Sequence, residues 1–473
     1  MTGDWEMVIG LEVHCELRTA TKLFCGCLNS FGDEPNTNIC PVCLGLPGSL
    51  PVLNRMAVEY AMRIGTALHC TVQASQFHRK NYFYPDMPKD YQISQYDVPI
   101  NADGWLELPG GQRVGIERAH LEEDTGKTTH EGGGGRIHDA THSLVDYNRS
   151  GVPLVEIVSA PDMRTADEAR AYVDELRSIL VATGASDGKM EEGSLRVDAN
   201  VSVRRPGDGF GTRCEIKNMN SLRSLGRAID YEAARQIKVI EAGDKIVQET
   251  RHWDENAGRT GSMRSKEEAY DYRYFPEPDL VPIAPAQEWI DQVARSMPRL
   301  PADRRAALAE MSGLAPDSDG VVTVVRLGLD DLVEAAGTSK EAASVAVRRA
   351  ANEVASDLDA AGRLDRPAFA RLVTMEAGGE LTSAQARTVL KTLMDSGGDP
   401  ARIAADLGFE AMAAGDLEQV VDRVIAGHPD EWARYQGGED KLTGLFIGEI
   451  KKATEGKADL KEASALLRSK RGA

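Results

Sequence analysis

Three segments far apart in the chain alternate apolar and polar residues with a period of two: GLEVHCEL at 10–17, SLRVDANVSV at 194–203 and RCEIK at 213–217. Successive side chains of a strand point to opposite faces, so each segment can bury one side and leave the other polar. In the first, Leu11, Val13, Cys15 and Leu17 are apolar, while Glu12, His14 and Glu16 share the opposite side, roughly 7 Å apart in succession. In the second, Leu195, Val197, Ala199, Val201 and Val203 back onto Arg196, Asp198, Asn200 and Ser202. In the third, Arg213, Glu215 and Lys217 oppose Cys214 and Ile216. Such strands require a sheet that is covered on one side and polar on the other. Two readings of the polar side stay open: a solvated face held by ordinary cross-strand ion pairs, or a concave surface that converges on one small ligand.

At 473 residues the chain exceeds one ordinary core, and two to four domains are expected. Up to about residue 290, strand-like segments broken by Gly, Pro and Asn predict a mixed, largely antiparallel sheet with some helices. Beyond it, Ala, Leu and charged residues recur at helical spacing. Joints are expected at DLVPIAPAQEW (279–289), LAPDSDGVV (314–322) and MDSGGDPARI (394–403), the last opening a small helical module. The glycine run Gly132 to Gly135 reads as a loop. A formal net charge of −19 argues against indiscriminate binding to nucleic acid or anionic membrane, although it permits a shaped RNA with a local basic dock. No apolar run is long enough to cross a bilayer, and MTGDWE is neither a basic leader nor a signal core, so a cytoplasmic protein is expected.

Seven cysteines in such a chain point to thiols or a metal before disulfides. Four of them form two close pairs, CGC (Cys25, Cys27) and CPVC (Cys40, Cys43), joined by a loop long enough to fold back. That pattern suits a closed, structural, tetrahedral zinc site. The segment AHLEEDTGKTTH, 119–130, ends in a P-loop-like GKTT but has Leu121 where the motif needs its first glycine, which excludes that loop. It leaves Glu122, Glu123 and Asp124 beside Lys127, a density of negative charge that either meets water or awaits a cation. FHRKNYFYPDMPKDYQISQYD, 77–97, interleaves Arg79, Lys80 and Lys89 with aromatic rings that can stack on a base or simply pack. Acids to hold a divalent cation, with Arg and Lys to hold phosphate, are what a nucleotide-using site without a P-loop must supply.

The motifs VIGLEVHCEL, RKNYFYPDMPKDYQISQYD, HLEEDTGKTTH, DYNRSGVPLVEIVS, KMEEGSLRVDANVSVR, EIKNMNS and DYRYFPEPDL, in that order, resemble the B subunits of bacterial aspartyl/glutamyl-tRNA amidotransferases. The resemblance runs from about residue 5 to 285 and more loosely to the C-terminus. It implies an α+β fold: a glutamine-synthetase-like cradle with a largely antiparallel sheet over 1–293, carrying the zinc insertion near 25–43. An all-α domain over 294–400 and a YqeY-like helical tail over 401–473 would follow. It also implies a reaction, in which ATP phosphorylates the side-chain carboxylate of Glu or Asp misacylated on tRNA(Gln) or tRNA(Asn), and ammonia then displaces phosphate. A carboxylate is a poor acyl donor, and its acyl phosphate has a good leaving group. The chain lacks the glycine- and serine-rich signature of an amidase, so ammonia is expected from an amidase A subunit, with a small C subunit completing the complex.

By position, the resemblance assigns Glu12, His14 and Glu123 to a magnesium site, to which Glu215 is added. His14 is unexpected for magnesium, which favours oxygen; it either sits beside the phosphate or favours manganese. On the charge argument Lys80, Arg196 and Lys217 are candidates for the transferring phosphoryl group. Glu122, Asp124 and Asp198 are candidates for orienting the ligands. The resemblance also carries the zinc ligands Cys25, Cys27, Cys40 and Cys43. Residues 441–473 hold eight Lys and Arg against four Asp and Glu, which makes this tail a candidate dock for the tRNA body. Two other classes stay open: a zinc-stabilised RNA-binding or assembly factor without catalysis, and an ATP-dependent ligase that amidates a free small carboxylate.

Overall fold

A computed structural model of the chain describes residues 4–132, 140–265, 272–409, 414–454, 458 and 460–471. Beyond Gly132 the predicted glycine loop lies outside the described residues. The chain divides into two compact units, Met1–Pro301 and Ala302–Ala473.

The first unit is built from β1 (Glu6–Glu16), α1 (Arg55–Ala67), β2 (Thr71–Val72), β3 (Phe77–Asn81), β4 (Tyr91–Gln95), β5 (Asn101–Glu107) and β6 (Arg113–Glu123). It continues through β7 (Lys127–Glu131), β8 (His142–Asp146), β9 (Pro153–Ser159), α2 (Ala166–Ala182), β10 (Leu195–Arg204) and β11 (Cys214–Lys217). It closes with α3 (Leu222–Glu241), β12 (Glu249–Asp254), β13 (Arg259–Ser265), β14 (Phe275–Pro276) and α4 (Gln287–Arg295). Twelve of these strands form one sheet with the spatial order β13-β12-β11-β10-β1-β9-β6-β4-β3-β14, with β5 on β6 and β2 on β5. Its pairings are antiparallel except β11 with β12. β7 and β8 form a separate two-stranded sheet, so the rejected GKTT segment begins a strand and not a phosphate-binding helix.

The apolar halves of the alternating strands make the core. Leu11, Val13 and Cys15 of β1 join Val155 and Ile157 of β9, Leu121 of β6, and Val197, Ala199 and Val201 of β10 in one cluster that also holds residues of α1, α2 and α3. All of these sheet side chains are at most 2% exposed, and each large one contributes about 1.5–3 kcal/mol. The helices start where their sequences supply caps. Thr165 and Glu168 form a capping box on α2, and the Ser221 hydroxyl accepts from the Ser224 N–H on α3.

The second unit comprises α5 (Pro301–Ser312), α6 (Asp319–Arg326), α7 (Asp330–Ala336), α8 (Lys340–Asn352), α9 (Leu358–Ala361), α10 (Arg366–Ala377), α11 (Ser383–Ser396) and α12 (Pro400–Asp406). α13 (Ala414–Gly427), α14 (Pro429–Gln436), α15 (Thr443–Ala453) and α16 (Leu460–Arg471) follow. Its helices share two cores. Ala404 of α12 belongs to the first, with α10 and α11, whereas Leu417, Val421, Phe446, Ile450 and Leu467 form the second. The buried Arg349 of α8 ties the first core together, donating to Glu376 of α10 at 2.8 Å and to the Ser383 carbonyl of α11.

No helix among the described residues is long and apolar enough to cross a membrane.

Candidate active site and metal centres

The strand pairings carry the polar halves of the alternating segments onto one sheet face. His14 of β1 sits opposite Arg196 of β10 on one side and Glu156 of β9 on the other. Glu12 is opposite Asp198, Asn200 opposite Glu215, and Glu156 opposite His120 of β6. Because β9 lies between β1 and β6, His14 and Glu122 converge over it, and the His14 Nδ1 lies 3.1 Å from Glu122 Oε1. Ligand atoms of His14, Glu122 and Glu156 all lie within 4.8 Å of one another. Asp198 Oδ2 is 4.0 Å from the other ring nitrogen, Nε2.

The surrounding groups fix this constellation. Asn200 donates its amide N–H to Glu12 Oε1 at 2.8 Å. Lys217 is held between Asp198 and Glu215, the latter at 3.1 Å, and Glu215 also accepts from the Thr250 hydroxyl at 2.7 Å. Arg196 donates to Asp124 at 2.8 Å, and Arg149 approaches the same oxygen at 3.5 Å. Lys80 reaches the acidic face from β3 with its ammonium 4.9 Å from the Tyr272 ring. Among the described residues it has no carboxylate within 4.0 Å. A half-buried ammonium that feels Glu122 and Glu156 but makes no direct ion pair is free to contact an anion on this face.

Electrostatics follow from crowding. Burial, and then the neighbouring charge of Glu156, raise the Glu12 pKa. Burial alone would lower the His14 pKa, but the hydrogen bond and charge of Glu122 reverse that and push it up to about 9. Burial opposes ionisation of Glu122 as well, and His14 and Lys80 overcome it and hold this carboxyl low. Burial opposes the charge on Lys80, which Glu122 sustains, so its pKa is raised. Burial and Asp124 raise Glu16 at the end of the same face. One imidazole with several crowded carboxylates is a donor set that fits a divalent cation.

Glu12, His14, Lys80, Glu122, Arg196, Asp198, Glu215 and Lys217 thus share one face, with Asp124 at its edge. Glu123 does not join them. It follows Glu122 in a pleated strand and points to the opposite side, where it is 1% exposed, pairs with Lys89 and accepts from the Ile93 N–H at 2.9 Å. Glu122, the preceding acid, faces His14. Glu156 and His120 complete the cluster without having been singled out in the sequence. Glu156 is the only charged residue of the strand PLVEIVS, and a lone acid in an apolar strand was the available signal.

The four cysteines of the insertion also converge, with their sulfurs within 4.8 Å of one another. All seven cysteines are free thiols. Cys43 is 4% exposed and its sulfur accepts from the Cys40 N–H at 3.0 Å. A hydrogen bond from Cys25 holds the Cys43 thiol down to about 5, which keeps one ready thiolate in the set. Four sulfurs with no nearby imidazole or carboxylate in the group are consistent with structural zinc.

The basic tail is less free than its composition suggests. Lys470 pairs with Glu418 and Asp422 at 2.9 and 2.8 Å, Arg471 with Asp440 at 2.6 Å, and Lys452 with Glu449 at 2.7 Å.

Comparison with known proteins identifies the family. Residues 7–291 match the GatB/GatE catalytic domain family, and residues 329–470 match the GatB domain family. A B subunit of the aspartyl/glutamyl-tRNA(Asn/Gln) amidotransferase of Frankia casuarinae is 51% identical over 99% of this chain and 96% of its own length. The corresponding subunit of Carboxydothermus hydrogenoformans is 48% identical over 99% of both chains, and that of Gloeobacter violaceus 48% identical over 99% of this chain and 87% of its own. With both family models in order and such likeness over the whole length, the chain belongs to the family of B subunits of the aspartyl/glutamyl-tRNA(Asn/Gln) amidotransferase.

Proposed function

We propose that this subunit activates the side-chain carboxylate of Glu-tRNA(Gln), Asp-tRNA(Asn) or both with ATP and converts it to the amide with ammonia supplied by an amidase A subunit. A small C subunit would complete the complex. The observation that carries this reading is the single sheet face on which His14, Glu122 and Glu156 converge beside the ammonium of Lys80, which makes no direct ion pair among the described residues. In the first step a carboxylate oxygen of the substrate bonds to the γ-phosphorus as its bond to the bridging oxygen breaks and ADP leaves. In the second, ammonia forms the C–N bond, phosphate departs with the acyl C–O electron pair, and the nitrogen gives up a proton.

Lys80 places positive charge on the transferring group, and Lys217 and Arg196 can exchange their carboxylate partners for phosphate oxygens. His14, Glu122 and Glu156 are the residues to hold magnesium or manganese, with Glu12 beside them; the buried orientation of Glu123 favours Glu122 in the role that family position gave to Glu123. Such an ion, when bound, neutralises phosphate charge and polarises the phosphoryl group. Glu12, with its raised pKa and its fixed hydrogen bond to Asn200, is placed to take the proton from the attacking nitrogen. Asp124, Asp198 and Glu215 orient the cationic side chains. Cys25, Cys27, Cys40 and Cys43 hold a structural zinc. The cradle, all-α and YqeY-like tail domains over 1–293, 294–400 and 401–473 remain the proposed division, the tail docking tRNA, in a cytoplasmic complex.

The test uses the assembled complex with Glu-tRNA(Gln), ATP, magnesium and ammonium chloride, which bypasses the glutaminase. Wild type is expected to form Gln-tRNA, and Glu12→Gln to bind tRNA but form none. An active variant would overturn the site assignment. Failure of the wild type with both Glu-tRNA(Gln) and Asp-tRNA(Asn) would instead favour an RNA-binding factor.

A further inference from the structure

Four thiolates around one divalent ion carry an excess of negative charge, and such a group inside a protein needs cations or N–H donors facing it. Lys22 is a cation in the right place. It opens the loop that carries Cys25 and Cys27: its backbone N–H donates to the Cys27 carbonyl at 3.0 Å, and Thr21 forms a bridge with Leu28. The residue is 0% exposed, which is rare for a lysine. Among the described residues its ammonium makes one hydrogen bond, to the Tyr147 carbonyl at 3.1 Å, and has no carboxylate within 4.0 Å. Glu123, the acid on that side of the sheet, is taken by Lys89. An ammonium has three N–H donors, so Lys22 keeps donors and a whole charge in reserve at a buried position, where both are costly unless something anionic answers them.

The cysteine set is what lies at hand. Gly151, whose φ of +85° demands glycine, marks the meeting point. A Cβ there would lie 3.6 Å from Lys22 Cδ, 3.8 Å from Cys43 Cβ and 3.8 Å from Glu123 Oε2. The lysine stem and the most buried of the four cysteines thus flank one glycine, and the Lys22 charge acts on the Cys43 sulfur. The backbone holds this arrangement in place. The Leu23 N–H donates to the Gly151 carbonyl at 2.8 Å, and the Gly151 N–H donates to the Asp124 carbonyl at 3.0 Å, so the base of the cysteine loop is bonded to the end of β6 through a single residue.

We propose that Lys22 is the buried counter-ion of the zinc–thiolate group, a positioning residue that turns its remaining N–H donors toward the cysteine sulfurs and offsets their charge. This rests on the reading of the four cysteines as a zinc site. The loaded metal and the buried lysine then stabilise each other, and zinc tightens the joint between the insertion and the sheet.

The experiment uses the full-length chain, with wild type, Lys22→Gln and Lys22→Met compared in three measurements: zinc affinity by chelator competition, the optical spectrum with cobalt in place of zinc, and denaturant midpoints with and without metal. The neutral variants are expected to bind zinc about 10–100-fold more weakly. Their thiolate-to-cobalt charge-transfer bands should move to longer wavelength, because sulfur lone pairs rise in energy when no cation faces them. The rise in midpoint that zinc produces should shrink, while the metal-free variants melt no earlier than metal-free wild type. Glutamine can keep the bond to Tyr147 and methionine keeps the apolar stem, so one folded variant is enough. Wild-type affinity and band position in a folded neutral variant would overturn the proposal. Metal-free variants that are unfolded, or that lose as much stability as the loaded ones, would overturn it as well, since Lys22 would then serve the fold alone. If the wild-type chain binds no zinc, it is the zinc reading that fails.

Discussion

Replacing Glu122 by Gln should release the proton that His14 holds. In the metal-free chain the imidazole pKa is lifted from its ordinary 6.5 to about 9, against burial, and Glu122 is the largest group that lifts it. At 1.36 kcal/mol per pK unit the total lift corresponds to about 3 kcal/mol between the protonated and neutral forms. In Glu122→Gln the charge is gone and only Glu156 and Asp198 oppose burial, so the pKa falls well below 9. The sign for stability follows. A histidine whose folded pKa exceeds its unfolded value stabilises the fold in full below about 6.5 and loses that contribution as pH rises through about 9. Metal-free wild type should therefore lose stability between pH 6 and 9, and the variant should lose much less over that window. Titration by NMR of chain labelled at histidine, with the resonance assigned through His14→Gln, reads the pKa directly, and denaturant melts at both pH values read the stability. An imidazole that still titrates near 9 in Glu122→Gln would refute the assigned pairing.

Three further outcomes follow from groups away from that imidazole. Glu123→Gln should cost about 3–5 kcal/mol in chemical denaturation of the metal-free chain, because it strands the buried Lys89 ammonium; a cost under 1 kcal/mol would contradict the core-side pairing. Zinc analysis should find one ion per chain in wild type and none in a Cys25→Ser, Cys40→Ser double variant, whose thermal unfolding should begin at a lower temperature; an equal zinc content would dispose of the four-sulfur site. Reversing the exposed Lys441 and Lys451 to Glu should weaken tRNA binding and reduce its salt slope by about one to two, because these basic residues of the tail, unlike Lys470 and Arg471, pair with no carboxylate among the described residues; an unchanged affinity would exclude this face as the dock.

Much of the sheet was legible because period-two alternation reports which side is buried without reference to any partner. The segments around Glu12, Asp198 and Glu215 became neighbouring strands, and their polar halves fell on one face. The cysteine spacing was legible for a similar reason, since short loops bring such pairs together whatever surrounds them. Glu122, Glu123 and Asp124 show where reading stopped. Treated as one acidic cluster they looked equivalent, but the strand runs to Glu123, so the pleat sends Glu122 to the polar face that carries the candidate site and Glu123 to the buried side. Glu156 was hidden for a different reason. Nothing in PLVEIVS says that it will lie between β1 and β6, and that placement alone turns an isolated acid into part of a site. The joint near residue 400 was read from its glycines, while α12 beyond it packs on α10 and α11, a preference set by which apolar face finds a partner.

The central position of β1 also matters during synthesis. It leaves the ribosome well before its two neighbours, β9 and β10, which begin at Pro153 and Leu195. At ~5–20 residues per second the nascent segment EMVIGLEVHCE waits on the order of ten seconds or more with both edges unpaired. A long β-prone segment in that condition is a template for aggregation, and interspersed charges are the usual protection. Glu12, His14 and Glu16 supply that protection before any substrate is bound. The side chains that crowd the finished site are thus the gatekeepers of the unfinished chain, and neutralising them would lower the yield of folded protein as well as its turnover.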